Sequence, residues 1–203
     1  MCAANARAAK IGRIRSDAVS SKGVRLVKAF SQSLGEELQA LKSMEHGGAC
    51  RALCTQWIIH RHQGKDFWGA MEDEAVFRQI IHQQRSWDKF ESKQRTQEDW
   101  ITLVLSTAGL QVRRRHDATI DPHIEIEDSF PFHLYRAEWT PRGAHAMAAH
   151  FQGPWVSFFD PNVGHFHFDS RTRYMGFLNT TLMPDKKYGT GKMLNHLRVR
   201  EIG

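Results

Sequence analysis

Three residues in this sequence have the types and the chain order of a nucleophile, a base and an orienting acid. Cys50 lies in the run Gly47-Gly48-Ala49-Cys50, His145 follows Gly143-Ala144, and Asp160 precedes Pro161-Asn162. A neutral thiol is a poor nucleophile, and a helix N-terminus together with an imidazolium converts it into a thiolate. The three residues therefore predict a thiol hydrolase that works through Cys50.

The run around Cys50 predicts the start of a buried helix that ends near Gly64. Gly47 and Gly48 permit a sharp turn into this helix, and its apolar stripe consists of Ala52, Leu53, Trp57 and Ile58. The free N–H groups and the positive dipole end of a helix favour a thiolate in the first turn. The N–H of Cys50 would then form half of an oxyanion hole. Cys54, one turn further, is expected to be a small core residue.

The segments that carry His145 and Asp160 are predicted to form a β-hairpin. Two apolar stretches, 144–151 and 155–160, flank the turn residues Gln152-Gly153-Pro154. In such a hairpin His145 and Asp160 lie side by side at the end opposite the turn. The carboxylate would accept a hydrogen bond from the far ring nitrogen and fix the tautomer of the imidazole.

The periodicity changes along the chain from helical to strand-like. Beside the Cys50 helix, apolar spacing predicts helices over 24–41, 71–90 and 98–108, and a later helix capped by Ser170. Short alternating segments predict strands at 110–114, 124–126, 132–139, 144–151, 155–160, 165–168 and 194–199. Helices followed by a mostly antiparallel sheet indicate an α+β fold.

The composition indicates a folded globule with a basic N-terminal segment. Hydrophobic residues make up 41% of the 203 residues, which favours a packed core over disorder. The first 30 residues hold seven basic side chains against the single acid Asp17, and the remainder is balanced. Residues 1–24 are therefore predicted to be a weakly ordered basic arm, and residues 25–203 one catalytic domain. Such an arm would suit contact with an anionic membrane or an export signal.

The cysteines and the hydropathy pattern indicate the compartment in which the protein acts and how it is exported. Cys2, Cys50 and Cys54 are too few for a disulfide framework, and their odd number favours a reduced compartment. No apolar stretch approaches the length of a membrane helix, and the N-terminus lacks the apolar core of a secretory signal peptide. Export by a signal-independent route fits this pattern.

The chain resembles the YopT-type effector cysteine proteases in three sequence blocks. These blocks are Gly47–Leu53 with Trp57-Ile58, Gly143–Ala146, and Phe159–Asn162 with Gly164 and Phe166. The family consists of papain-like enzymes that bacteria deliver into host cells, and related domains occur in larger toxins. The resemblance implies a papain-like fold, Cys50 as nucleophile, His145 as base and Asp160 as orienting residue. It also implies a protein substrate, secretion into a host or target cell, and action in reduced cytosol.

The oxyanion hole departs from the papain pattern. Papain-like enzymes usually place a Gln a few residues before the cysteine as the second oxyanion donor, but Met44 is six positions upstream here. Gln39, Ser43 or His46 would substitute, and His46 is the candidate because it lies nearest to Cys50.

Two alternative functions are compatible with the sequence, one that uses the same three residues and one that does not need them. A deamidase or transglutaminase would use the same Cys50, His145 and Asp160 on a side-chain amide. A non-enzymatic module would instead bind through the basic arm. No cofactor is expected, no Cys/His set has the spacing of a zinc site, and nucleic acid is not the expected partner.

Overall fold

The computed structural model describes residues 2–34, 48–90, 97–115, 130–140, 143–182 and 192–201. Its helices are α1 (Cys2–Ser20), α2 (Cys50–His62), α3 (Phe67–Met71), α4 (Glu74–Phe90), α5 (Gln97–Thr107) and α6 (Arg171–Phe177). A π-helical turn, Leu178–Leu182, continues α6. None of the described helices is long and apolar enough to cross a membrane.

In the described part of the chain, seven strands form one antiparallel sheet. They are β1 (Val24–Lys28), β2 (Leu110–Arg115), β3 (Phe132–Thr140), β4 (Gly143–Gln152), β5 (Trp155–Asp160), β6 (Gly164–Phe168) and β7 (Lys192–Glu201). Their order across the sheet is β1-β6-β5-β4-β3-β7-β2. The predicted α+β fold, with helices packed on an antiparallel sheet, is confirmed.

Alternation along β4 divides the buried residues between two cores. Ala146 and Ala148 belong to the core beneath α2, whereas Met147 and Ala149 belong to the core beneath α1 and α6. Because successive strand residues point to opposite faces, these cores lie on the two sides of the sheet. The core beneath α2 includes the fully buried Trp57 and Phe159. These two rings lie 6.0 Å apart, which seats α2 on the strand that ends at Asp160.

The N-terminal segment is a packed helix and not the weakly ordered arm that its composition predicts. Ile11, Ile14 and Ala18 of α1 are buried, and the last two join the core that includes Phe166 and Tyr174. Their spacing places them on one helix face, so the basic residues occupy the remainder of the surface. The division of the chain after residue 24 stays a prediction.

The predicted helix over 24–41 is wrong at its beginning. Val24–Lys28 is the edge strand β1, which pairs antiparallel with β6. Half-buried Val24 and Leu26 alternate with exposed Arg25 and Val27, which fits a strand. The apolar residues further along 24–41 are spaced as on a helix, and that spacing concealed the two-residue alternation of its first residues. The strand predicted at 124–126 lies outside the described residues.

Candidate active site

Cys50 is the first residue of α2, as the sequence predicts, and the residue as a whole is partly exposed. The first N–H groups of a helix have no acceptor within the helix, and the residue before Cys50, Ala49, offers no side-chain cap. Two glutamines supply acceptors instead. Gln32 Oε1 accepts from the Ala49 N–H at 2.8 Å, and Gln84 Oε1 accepts from the Ala52 N–H at 3.1 Å. The helix start is therefore held from two sides.

Cys54 lies one turn further along α2 and is fully buried. Burial raises the pKa of its thiol well above the usual value, and the nearby charges of Cys50 and Asp160 raise it further. The sequence prediction that Cys54 is a core residue agrees with this environment.

His145 and Asp160 meet at the open end of the β4–β5 hairpin. Nε2 of His145 lies 2.7 Å from Oδ1 of Asp160, and both side chains are almost completely buried. The predicted hairpin turns at Gly153, whose φ of +59° suits glycine. Because Nε2 faces the carboxylate, Nδ1 is the nitrogen left to serve the thiol.

The loop after β5 holds the carboxylate in place. Asp160 Oδ1 also accepts from the backbone N–H of Asn162 at 2.7 Å. The Asn162 amide nitrogen lies 3.3 Å from Nδ1 and 3.4 Å from Nε2 of His145, so the amide packs against the ring. At the end of the loop, Gly164 has a φ of +137°, and a Cβ there would lie 2.7 Å from the carbonyl oxygen of Lys28. Glycine at this position lets the loop pass close to β1.

Cys50 and His145 form a hydrogen-bonded pair with opposite pKa shifts. Burial raises the pKa of the Cys50 thiol, but the hydrogen bond and charge of His145, the Ala146 backbone and Arg51 outweigh it, so the pKa falls below its usual value. Burial lowers the pKa of His145, whereas the charge and hydrogen bond of Asp160, aided by Cys50, raise it to about 10. Together these shifts favour a thiolate–imidazolium pair over a neutral thiol and imidazole.

Gln32 is a site residue that the sequence analysis missed. Its backbone N–H donates to the Pro161 carbonyl at 2.8 Å, and its Nε2 lies 3.3 Å from Asn162 Oδ1. It lies 18 positions before Cys50, well outside the window in which a papain-like glutamine is expected. The signal available in the sequence is a polar residue two positions after the apolar pair Ala29-Phe30, and that pattern alone indicates no site.

The predicted second oxyanion donor, His46, lies outside the described residues, as do Met44, Ser43 and Gln39. The other proposed donor, the backbone N–H of Cys50, belongs to the described residues. Among these residues, no acceptor outside α2 is hydrogen-bonded to this N–H. An N–H at this position is available to an incoming carbonyl oxygen.

Among the described residues, no three His, Cys, Asp or Glu side chains are grouped so that they could hold a metal ion. The geometry that the described residues do provide is a thiol, an imidazole and a carboxylate in series, an arrangement that can carry out acyl transfer.

Comparisons with known proteins agree with this chemistry. The model of the family Peptidase_C58, described as Yersinia/Haemophilus virulence surface antigen, matches residues 134–201, which include His145 and Asp160. Comparison with curated proteins finds no match.

One solved structure shares the fold, and a second is similar in sequence. The Pseudomonas avirulence protein AvrPphB is 17% identical, with a TM-score of 0.55 over 76% of this chain and 93% of that chain. The YopT domain of the Pasteurella multocida PfhB2 toxin is 18% identical over 86% of this chain and 92% of that chain, with a TM-score of 0.31. The family match confirms the resemblance to the YopT-type peptidases that the sequence blocks indicate. The chain is a cysteine peptidase with a papain-like fold.

Proposed function

We propose that Cys50 is the nucleophile of this peptidase, His145 its base and acid, and Asp160 the residue that orients the imidazole. The observation that carries the proposal is the buried 2.7 Å contact between His145 and Asp160 beside a thiol at a helix start. A buried carboxylate holds the ring in one tautomer and favours its protonated form, which in turn favours the thiolate.

The reaction follows from these roles. The Cys50 thiolate attacks the carbonyl carbon of a peptide bond, and a C–S bond forms while the carbonyl oxygen becomes an oxyanion. The tetrahedral intermediate collapses as the C–N bond breaks, and protonated His145 gives its proton to the leaving amine. Neutral His145 then takes a proton from water as the water oxygen attacks the thioester carbon. The C–S bond breaks, the acid product leaves, and the thiolate–imidazolium pair is restored.

The Cys50 N–H is proposed as one oxyanion donor because it lies at the N-terminus of α2. His46 stays the proposed second donor from its position in the sequence. The positive end of the helix dipole adds to the stabilisation of both the thiolate and the oxyanion.

The proposed biological role is that of a bacterial effector or toxin. The names of the matching family and of the neighbours include a virulence surface antigen, an avirulence protein and a toxin. We propose a host or target-cell protein as substrate and export by a signal-independent route. The exposed basic residues of α1, among them Arg7 and Arg13, are proposed to contact anionic membrane.

A thiol-reactive epoxide probe tests the proposed triad directly. The probe should form a covalent adduct on the Cys50 peptide, identified by mass spectrometry, and His145→Ala should reduce the labelling rate at neutral pH by more than about tenfold because the thiolate loses its partner. Equal labelling of the wild type and of His145→Ala would contradict the proposed roles. Unlabelled protein that cleaves no peptide bond but converts Gln side chains to Glu or crosslinks them, and that loses this activity once Cys50 is labelled, would instead indicate the deamidase or transglutaminase.

A further inference from the structure

Gln32 connects the two halves of the active site. Its Oε1 accepts from the Ala49 N–H directly before Cys50, and its Nε2 donates to Asn162 Oδ1 in the loop that follows Asp160. Its own backbone N–H donates to the Pro161 carbonyl of the same loop. One residue therefore bonds the segment that carries the nucleophile and the segment that carries the orienting acid.

The geometry makes use of every polar group of the side chain. A primary amide has one acceptor and one donor group on the same carbon, and Gln32 turns the acceptor toward α2 and the donor toward the loop. Gln32 is only 6% exposed, so the loss of either bond would leave a buried polar group without a partner. No apolar residue of the same length can replace this bridge.

The bridge also determines how Asn162 meets the imidazole. Because Asn162 Oδ1 accepts from Gln32, its Nδ2 is the group that lies against the ring of His145. The Asn162 backbone N–H at the same time binds Asp160. Gln32 thus reaches both members of the His145–Asp160 pair through one neighbour.

We propose that Gln32 is a positioning residue that fixes the Cys50 thiol relative to the His145 imidazole. The inference rests on the proposed function, because it concerns the same thiolate–imidazolium pair. Without the bridge, the start of α2 and the loop after β5 lose the side-chain hydrogen bonds by which Gln32 joins them. The hydrogen bond between thiol and imidazole is short-ranged, so a small separation reduces the fraction of thiolate.

Gln84 offers a matched control. It is also a buried glutamine, 4% exposed, and its Oε1 also accepts from an N–H of the first turn of α2. Its Nε2, however, donates to Asp88 within α4 and not to the loop after β5. Gln32 and Gln84 therefore share the support of the helix start, and Gln32 alone of the two connects it to Asp160.

The test compares Gln32→Met with Gln84→Met in the full chain. Iodoacetamide alkylation of Cys50 is followed by peptide mass spectrometry from pH 5 to 10, and thermal unfolding is measured for each variant. Met keeps the length and removes both polar groups. We expect both variants to lose thermal stability, and Gln32→Met alone to lose about tenfold in alkylation rate at pH 6, which corresponds to a one-unit rise in the thiol pKa.

The outcomes separate this inference from the proposed function. An unchanged alkylation profile in folded Gln32→Met, or an equal change in Gln84→Met, would overturn the positioning role. A wild-type profile that does not respond to His145→Ala would overturn the proposed function itself. If Gln32→Met does not fold, Gln32→Asn keeps the amide on a shorter side chain, and it should show the same loss at pH 6 if reach is what matters.

Discussion

Nε2 of His145 and Oδ1 of Asp160 are separated by 2.7 Å, and both side chains are withdrawn from solvent. At this distance the carboxylate determines which ring nitrogen carries the proton and favours the imidazolium. Because an imidazolium in turn favours a thiolate, we expect Asp160 to act on the Cys50 thiol through His145.

Asp160→Asn tests this relay. The amide has nearly the same size, but the negative charge that raises the pKa of His145 is lost. We expect alkylation of Cys50 at pH 6 to slow by about tenfold or more, because the thiol pKa rises by at least one unit. Peptide mass spectrometry after timed iodoacetamide treatment measures the rate. The control is Asp169→Asn, which changes a carboxylate directly after the end of β6. A wild-type alkylation rate in Asp160→Asn would contradict the relay.

The charge pair also predicts a particular pH dependence. The lowered pKa of Cys50 supplies thiolate at pH values below the ordinary thiol range. The alkylation rate of the wild type should therefore rise at a lower pH than that of an ordinary thiol. In His145→Ala the hydrogen bond and charge are gone while burial remains, and the midpoint should move to or above the ordinary thiol pKa. Two superimposable profiles would show that His145 does not tune the thiol.

Cys54 should behave as the opposite of Cys50. It is fully buried and the pKa of its thiol is raised, so neither access nor thiolate is available to a reagent. At pH 8 in native protein we expect alkylation of the Cys50 peptide and less than about a hundredth of that rate on the Cys54 peptide, with both labelled after unfolding in urea. Comparable native labelling of Cys54 would contradict the described packing of α2.

Arg15 connects α1 to the loop that follows Asp160. Its Nε donates to the Val163 carbonyl at 2.6 Å, and its guanidinium also donates to the Phe30 carbonyl at 2.8 Å. We expect Arg15→Met to lower the free energy of unfolding by about 2 kcal/mol, since two buried carbonyls lose a charged donor. Urea titration measures this loss, and exposed Arg13→Met on the same helix should lie within about 0.5 kcal/mol of wild type. Equal effects of the two substitutions would contradict the role of Arg15.

The packing of α1 changes what a truncation can show. Deletion of residues 1–24 would remove Ile11, Ile14 and Ala18 from a core, so loss of function would follow whether the segment binds a partner or not. Neutralising Arg7 and Arg13 leaves the core intact. Weaker binding of this variant to vesicles that contain anionic lipid, with Cys50 alkylation unchanged, would support the membrane contact, and unchanged binding would oppose it.

Much of the site was predictable from the sequence because its members lie in locally recognisable elements. Cys50 follows two glycines at a helix start, and the β4–β5 hairpin brings His145 and Asp160 together within 15 positions of the chain. Hairpin register is determined locally by the turn and by alternation. Those constraints explain why the pair could be placed without a structure.

Gln32 and α1 could not be placed by the same reasoning. The contacts of Gln32 with Asn162 span 130 positions and depend on how β1 and its following segment pass the end of β5, which no local pattern contains. For α1 the spacing of Ile11, Ile14 and Ala18 did hold a helical signal. The high basic content of the segment obscured this spacing. Basic residues occupy the exposed faces of the helix, whereas its packing depends on the apolar stripe that remains.

The most direct test of the central claim is a proteome-wide profile of new protein N-termini in host-cell lysate treated with the wild-type chain or with Cys50→Ala. The account predicts new N-termini that appear with the wild type, are absent with Cys50→Ala and are also absent with His145→Ala. Cleavage that persists in folded Cys50→Ala would contradict Cys50 as the nucleophile of this peptidase.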